Sequence, residues 1–250
     1  FFERNLESHA VQAGIAAHTD RVSVIMPAFN RASVIEAAIE SVVRQSHGNI
    51  ELIVIDDGSA DDTVHVVKRL TAEHHWADIK LVELPCNRGV SAARNAGFAA
   101  STGDYIFYLD SDNVWSPEAV AIMLDALKRN PDAECVYAGQ EVLEHIEEFD
   151  CVDRRYVRAC PFNRSRLEHR NFIDLNVFGH TRGSYLRLGG FREDLSRLVD
   201  WELILRYTKE KAPVFVPVIL NSYYVGKVAN QITATQSFAS NYKALMGVVR

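Results

Sequence analysis

The sequence has no G-x-G-x-x-G turn and no Walker A segment; after its first apolar run it reads Pro27-Ala28-Phe29-Asn30-Arg31, without a glycine. Dinucleotide-binding Rossmann domains and P-loop nucleotidases need glycines there, so that backbone N–H groups can approach phosphates closely. Both classes are excluded. The four cysteines (Cys86, Cys135, Cys151, Cys160) form no C-x-x-C pair and no zinc-finger spacing. Cysteines so sparse point to a reducing compartment. Positive charge is not in excess: 27 Lys and Arg stand against 33 Asp and Glu, a net charge of −6. That removes the global basic field a nucleic-acid partner would need. No apolar run approaches the roughly 18–20 residues that span a bilayer. The longest, such as Leu52-Ile53-Val54-Ile55 and Val214–Leu220, have strand length.

What is present is an ordinary globular composition, 48% hydrophobic and 24% charged over 250 residues, enough for one large α/β domain. Phe1 is not followed by a basic-then-apolar signal. The chain is expected to be a piece of a longer polypeptide, cytoplasmic or at the inner face of a membrane. The sequon Asn163-Arg164-Ser165 is then a chance match.

Residues 1–20 read as a helical extension or linker, and 21–250 as a single domain. Within 21–130, strands and helices alternate four times. Strands are expected at Val22–Met26, Glu51–Ile55, Ile79–Leu84 and Tyr105–Leu109. Helices are expected at Arg31–Gln45, Asp61–Leu70, Val90–Ala100 and Pro117–Arg129, from apolar residues recurring every three to four positions. Such alternation implies right-handed βαβ units and a mostly parallel sheet. The half from 131 to 250 is less regular. Ala133–Leu143 reads as a strand, 144–170 as a charged loop, Asn176–Leu186 as a strand pair and Asp200–Thr208 as a helix. Val214–Tyr224 reads as one or two strands, and Gln231–Val249 as a last helix.

Ligands of open α/β sheets bind outside the carboxyl ends of the strands. Two of the four strands end there in paired carboxylates, Asp56-Asp57-Gly58-Ser59 and Asp110-Ser111-Asp112. Alternating carboxylates at Asp110 and Asp112 are hard oxygen ligands suited to Mg²⁺ or Mn²⁺ beside a substrate diphosphate. Asp57 can accept the imide N–H of a base. Either motif also makes a good turn, and that reading stays open.

These motifs together resemble the family 2 glycosyltransferases, which have the GT-A fold. The resemblance rests on Val22-Ser23-Val24-Ile25-Met26-Pro27-Ala28-Phe29-Asn30, Ile55-Asp56-Asp57-Gly58-Ser59, Asn87-Arg88-Gly89 with Ala93-Arg94-Asn95, and Tyr108-Leu109-Asp110-Ser111-Asp112. It implies transfer of a sugar, with inversion, from a nucleotide diphosphate sugar to a glycan or lipid-linked glycan acceptor. It places Pro27, Phe29, Asn30, Asp57, Arg94 and Asp110 at the donor, with Asp112 and Asp110 at a divalent metal.

The second half matches through Leu188-Gly189-Gly190-Phe191 and Val199-Asp200-Trp201-Glu202-Leu203. The family carries an acidic pair there as catalytic base, and this chain has Val199 in the first position. Asp200 is therefore the candidate base, with Glu202 behind it; Asp200 as a helix cap is the competing reading. Trp201 is either an acceptor platform or a core residue, and His180 either a cleft residue or a structural one. Tyr223-Tyr224-Val225-Gly226-Lys227 lacks the late histidine many relatives carry near the metal. Two rivals are a sugar nucleotidyltransferase, which wants a glycine-rich loop after the first strand, and a GT-A module that has lost catalysis.

Overall fold

A computed structural model describes residues 16–146 and 151–225. Residues 16–20 form no regular element. The rest of the expected N-terminal helix and all of the C-terminal one lie outside the described residues.

The described strands are β1 (Val22–Ala28), β2 (Ile50–Asp56), β3 (Asp78–Glu83), β4 (Tyr105–Tyr108), β5 (Val114–Trp115), β6 (Cys135–Ile146), β7 (Cys151–Arg158), β8 (Phe178–Thr181) and β9 (Val214–Val225). The helices are α1 (Ile35–Val43), α2 (Thr63–Glu73), α3 (Val90–Ala100), α4 (Ala119–Arg129), α5 (Arg164–His169), α6 (Arg182–Leu188) and α7 (Val199–Tyr207). All nine strands join one sheet, in the order β3-β2-β1-β4-β8-β6-β9-β5, with β7 paired to β6. Pairing is parallel through β3, β2, β1 and β4, and turns antiparallel at β8.

Both faces of the sheet are covered, which is why β1 and β2 read as nearly unbroken apolar runs. Val22, Val24 and Met26 pack under α1, α2 and α4, while Ile25, Ile53 and Ile55 pack under α3 and α7. Helix α3 sits close because its Gly97 has no Cβ; one built there would lie 2.6 Å from the side chains of Ile25 and Ile55.

The second half differs from the sequence expectation in two places. Residues 144–170 are not an unstructured loop: they include β7 and α5. Strand β7 is held by ladder bonds to β6 and by the cross-strand pair Arg155–Glu141, so it needs no apolar stripe. Asn176–Leu186 is not a strand pair either. It is a 3₁₀ turn (Leu175–Val177), β8 and α6. Thr181 starts α6 by accepting a hydrogen bond from the Ser184 N–H at 3.2 Å, a cap worth roughly 1 kcal/mol. Val214–Val225 is one long strand with irregular register against β6.

Candidate active site

Because β1, β2 and β4 are parallel and in register, their carboxyl ends finish together: Ala28 faces Asp56, and Ile25 faces Tyr108. A cavity of about 640 Å³ opens there. Pro27 and Phe29 line it from β1, Asp57 from β2, Arg94 from α3, Asp110 and Asp112 from the end of β4, and Tyr223 from β9.

Asp57 is 3% exposed and clamped. Its two oxygens accept the backbone N–H groups of Arg88 and Gly89, each at 2.8 Å. The turn after it requires glycine: Gly58 has φ +74°, and a Cβ there would lie 2.8 Å from the Asn87 nitrogen. Asp56 turns the other way and accepts the Ser59 N–H at 3.0 Å. Asn30 is not on the cavity wall. It occupies the left-handed region at φ +53°, donates its N–H to Ser59 Oγ and accepts the Ala60 N–H on Oδ1 at 2.8 Å. Asn30 therefore braces two turns rather than facing the cavity.

Arg94 is 5% exposed and donates from Nη2 to Asp110 Oδ1 at 2.7 Å. Its buried Nε has no hydrogen-bond partner. Asn176, which the sequence reading did not single out, holds Asp110 from the other side. Its Oδ1 accepts the Asp110 N–H at 2.7 Å, and its Nδ2 donates to Asp110 Oδ2 at 3.2 Å. The same Nδ2 reaches Asp174 Oδ1 at 2.8 Å, and Arg158 pairs with Asp174 Oδ2 at 3.2 Å. Trp115 Nε1 fixes this turn by donating to the Asn176 carbonyl at 2.6 Å. The available signal was one amide inside the apolar run Leu175-Asn176-Val177-Phe178.

Asp200 lies in the first turn of α7, beyond the N-cap residue Leu198, and is no side-chain cap. It does not line the 640 Å³ cavity but reaches its network electrostatically. Its Oδ2 accepts from Asn171 Nδ2 at 3.0 Å. Burial and the Asp174 charge raise its pKa above the ordinary aspartate value, while the Trp201 backbone N–H and Arg94 pull the other way. Glu202, the fallback base, is 1% exposed and bound by both arms of Arg206 at 2.9 and 2.8 Å. Arg206 also holds the carbonyls of Leu188, Gly189 and Gly190, so Glu202 supports a turn.

Trp201 and His180 are both core residues. Trp201 is 3% exposed and donates from Nε1 to the Leu167 carbonyl at 2.7 Å, so it presents no platform. His180 is fully buried on β8, 2.8 Å from Tyr108 Oη, and burial pushes its pKa down to about 4. It stays neutral at pH 7 and out of the cleft. Val199, where the family has its first acidic residue, packs in the second core.

The two halves meet at Asn95. Its Oδ1 accepts the Phe191 N–H and the Tyr185 hydroxyl, each at 2.8 Å; its Nδ2 donates to the Phe191 carbonyl and to Glu193. That fixes the 190–196 loop, whose Glu193, Asp194, Leu195 and Ser196 close one side of the cavity. In the sequence Asn95 stands beside Arg94 in Ala93-Arg94-Asn95 with no sign of these partners. Tyr223 was also missed; burial and the charges of Asp174, Asp110 and Asp112 raise its phenol pKa.

Residues 23–183 match the model of glycosyl transferase family 2. The chain belongs to this family. It is 26% identical over 209 residues to an Escherichia coli chondroitin synthase, covering 84% of this chain and 29% of that one. The chain spans 18% to 65% of the length of the curated relatives compared. Its fold is GT-A. S. aureus TarS 1–349 in complex with UDP-GlcNAc superposes with a TM-score of 0.74 at 15% identity, over 92% of this chain and 65% of that one. The Pyrobaculum calidifontis mannosyltransferase PcManGT, in complex with GDP-Man and Mn²⁺, gives 0.66 at 21%, over 86% and 61%. Among the described residues of the family 2 domain, no group of three or more His, Cys, Asp or Glu is arranged to hold a metal ion, and no helix is long and apolar enough to cross a membrane.

Proposed function

We propose that this domain transfers a sugar, with inversion, from a nucleotide diphosphate sugar to a hydroxyl of a glycan acceptor. The observation that carries the proposal is the 640 Å³ cavity at the strand ends, walled by Asp57, Arg94, Asp110 and Asp112. Its volume falls in the range of small-molecule sites, roughly 300–1,000 Å³. The base and ribose lie against Pro27, Phe29 and Asp57. Each Asp57 oxygen keeps a lone pair beyond its backbone bond, so the carboxylate can still accept a base N–H. The diphosphate lies toward Arg94, whose buried Nε lacks a partner within the protein. That a chondroitin synthase and a UDP-GlcNAc complex are among the similar proteins supports a nucleotide sugar donor and a polysaccharide product.

A divalent ion, Mn²⁺ or Mg²⁺, fits on the chemistry of the donor set. Asp110 accepts from Arg94 and Asn176, and Asp112 Oδ1 accepts from Asn113 Nδ2 at 3.0 Å, so both carboxylates would hold the ion through their remaining lone pairs. Its remaining ligands would come from the diphosphate and water, the usual arrangement for Mg²⁺. Bound there, the ion would supply positive charge against the diphosphate as it leaves.

Asp200 takes the proton of the acceptor hydroxyl as that oxygen attacks the anomeric carbon from the face opposite the leaving diphosphate. Its raised pKa makes it a stronger base than an ordinary aspartate. Asn171 orients it through the bond to Oδ2. A single displacement needs one base and no covalent intermediate, the logic of inverting glycoside chemistry. Glu202 and His180 are both committed elsewhere, which supports Asp200 for this role.

The test is calorimetry of UDP, GDP and dTDP sugars with Mn²⁺ and with EDTA, followed by donor turnover. At least one donor should bind, more weakly with EDTA, and be hydrolysed slowly. Failure of every nucleotide to bind would refute the reading.

A further inference from the structure

A second cavity, of about 390 Å³, is lined by Arg158, Cys160, Arg166, Arg170, Asn171 and Phe172. One of its walls touches the proposed base and a second reaches it through Asp174. Asn171 donates to Asp200, and Arg158 pairs with Asp174, the charged neighbour that helps raise the Asp200 pKa. Asp174 connects through Asn176 to Asp110 in the donor cavity. Asp200 is thus tied to the second cavity directly through Asn171 and to the donor cavity through the chain Asp174, Asn176 and Asp110.

The second cavity is cationic in a chain of net charge −6. Of its three guanidinium groups, Arg158 is paired with Asp174 at 3.2 Å. Arg166 donates to the Cys160 sulfur at 2.8 Å, and among the described residues no carboxylate pairs with Arg166 or Arg170. Like charges gathered in one small cavity repel each other unless an anion joins them. Guanidinium groups match the planar oxygens of carboxylate and phosphate. Phe172 supplies the apolar surface that one face of a sugar ring needs.

We propose that this second cavity is the acceptor subsite, and that the acceptor is an anionic glycan whose carboxylate or phosphate oxygens are bound by Arg166 and Arg170. The inference rests on the reading of Asp200 as the base. It adds the acceptor's charge and the residues that select it.

The experiment uses the protein with three probes: a hyaluronan octasaccharide, its carboxyl-reduced neutral counterpart, and a glycerol phosphate oligomer. Binding is measured by calorimetry for the parent, Arg166→Gln, Arg170→Gln and the double variant. Arg154→Gln, on the exposed part of β7 and absent from the cavity wall, controls for general electrostatic attraction. The parent should bind at least one anionic probe at least tenfold more tightly than the neutral one. Each cavity variant should weaken that binding roughly tenfold, the low end for a charge-assisted hydrogen bond. Arg154→Gln should leave it unchanged. Binding of the uronate probe alone assigns a carboxylate acceptor, and of the phosphate probe alone a phosphodiester. Equal binding of the neutral probe, no anionic binding, or an equal loss in Arg154→Gln would each overturn the inference. UDP and GDP titrations on the same samples separate the two readings. A parent that binds nucleotide but no anionic probe refutes the acceptor subsite alone, whereas one that binds no nucleotide refutes the donor site.

Discussion

Asp57, on the donor cavity wall, and Asp200, the proposed base, are both aspartates, and their surroundings differ. Asp57 accepts two backbone N–H groups at 2.8 Å from a turn fixed by Gly58 and Gly89. Asp200 accepts from Asn171 Nδ2 and from the Trp201 backbone N–H, and faces another carboxylate, Asp174. The first environment fixes the carboxylate in space, which suits an acceptor that reads a base. The second leaves charge incompletely compensated and raises the pKa, which suits a group that takes a proton. The difference follows the halves of the chain. The regular βαβ half presents its carboxylates at strand ends where turn N–H groups converge. The irregular half presents Asp200 on the first turn of a helix packed in a second core.

Variants at these carboxylates separate the two kinds. The largest effect is expected at Asp200→Asn. Turnover of sugar transfer should fall about 10²–10⁴-fold, the usual worth of a general base, while donor affinity stays within a factor of two or so. Comparable loss of both in a folded variant would remove Asp200 from the chemistry. Next comes Asp112→Ala, for which EDTA should no longer weaken donor binding in calorimetry; a parent-like EDTA response would move the ion elsewhere. Asp57→Ala should weaken nucleotide binding roughly ten- to a hundredfold with or without metal, since a hydrogen bond to a charged group is worth about 1.5–3 kcal/mol.

The smallest expected effect is on stability. Because its folded pKa is raised, Asp200 contributes stability that is present below the ordinary aspartate pKa and lost as pH rises through the raised value. Asp200→Asn removes that loss. Near neutral pH it should melt at or above the parent's temperature, and the gap should close as pH falls toward 4. A variant that melts lower at every pH would make Asp200 a structural residue.

Much of the first half was legible in the sequence because local and global signals agree there. The strands expected to end at Ile55 and Leu109 end one residue away, at Asp56 and Tyr108, and the helix Val90–Ala100 has the expected bounds. Asp57, Asp110 and Asp112, picked out by the strand ends, line the cavity, as do Pro27, Phe29 and Arg94, which the family resemblance pointed to. The second half was harder to read because its order comes from long-range polar bonds. Strand β7 forms by pairing with β6, α6 starts at a threonine cap, and Asn176 and Asn95 act through partners 66 and 96 residues away. Trp201 and His180 each stayed between a cleft and a core reading for a related reason. An aromatic ring or an imidazole shows no sign in sequence of whether a carbonyl or hydroxyl awaits it in the core, and here Leu167 and Tyr108 do.

The central claim is that donor binding and proton transfer reside in separate carboxylates. The most direct measurement determines donor dissociation constant and transfer turnover for Asp57→Ala and Asp200→Asn in the same assay. The predicted result is a crossed pattern: Asp57→Ala loses affinity and, at saturating donor, keeps most of its turnover, while Asp200→Asn keeps affinity and loses turnover by at least about 10²-fold. Two variants that lose affinity and turnover together, in equal proportion, would contradict it.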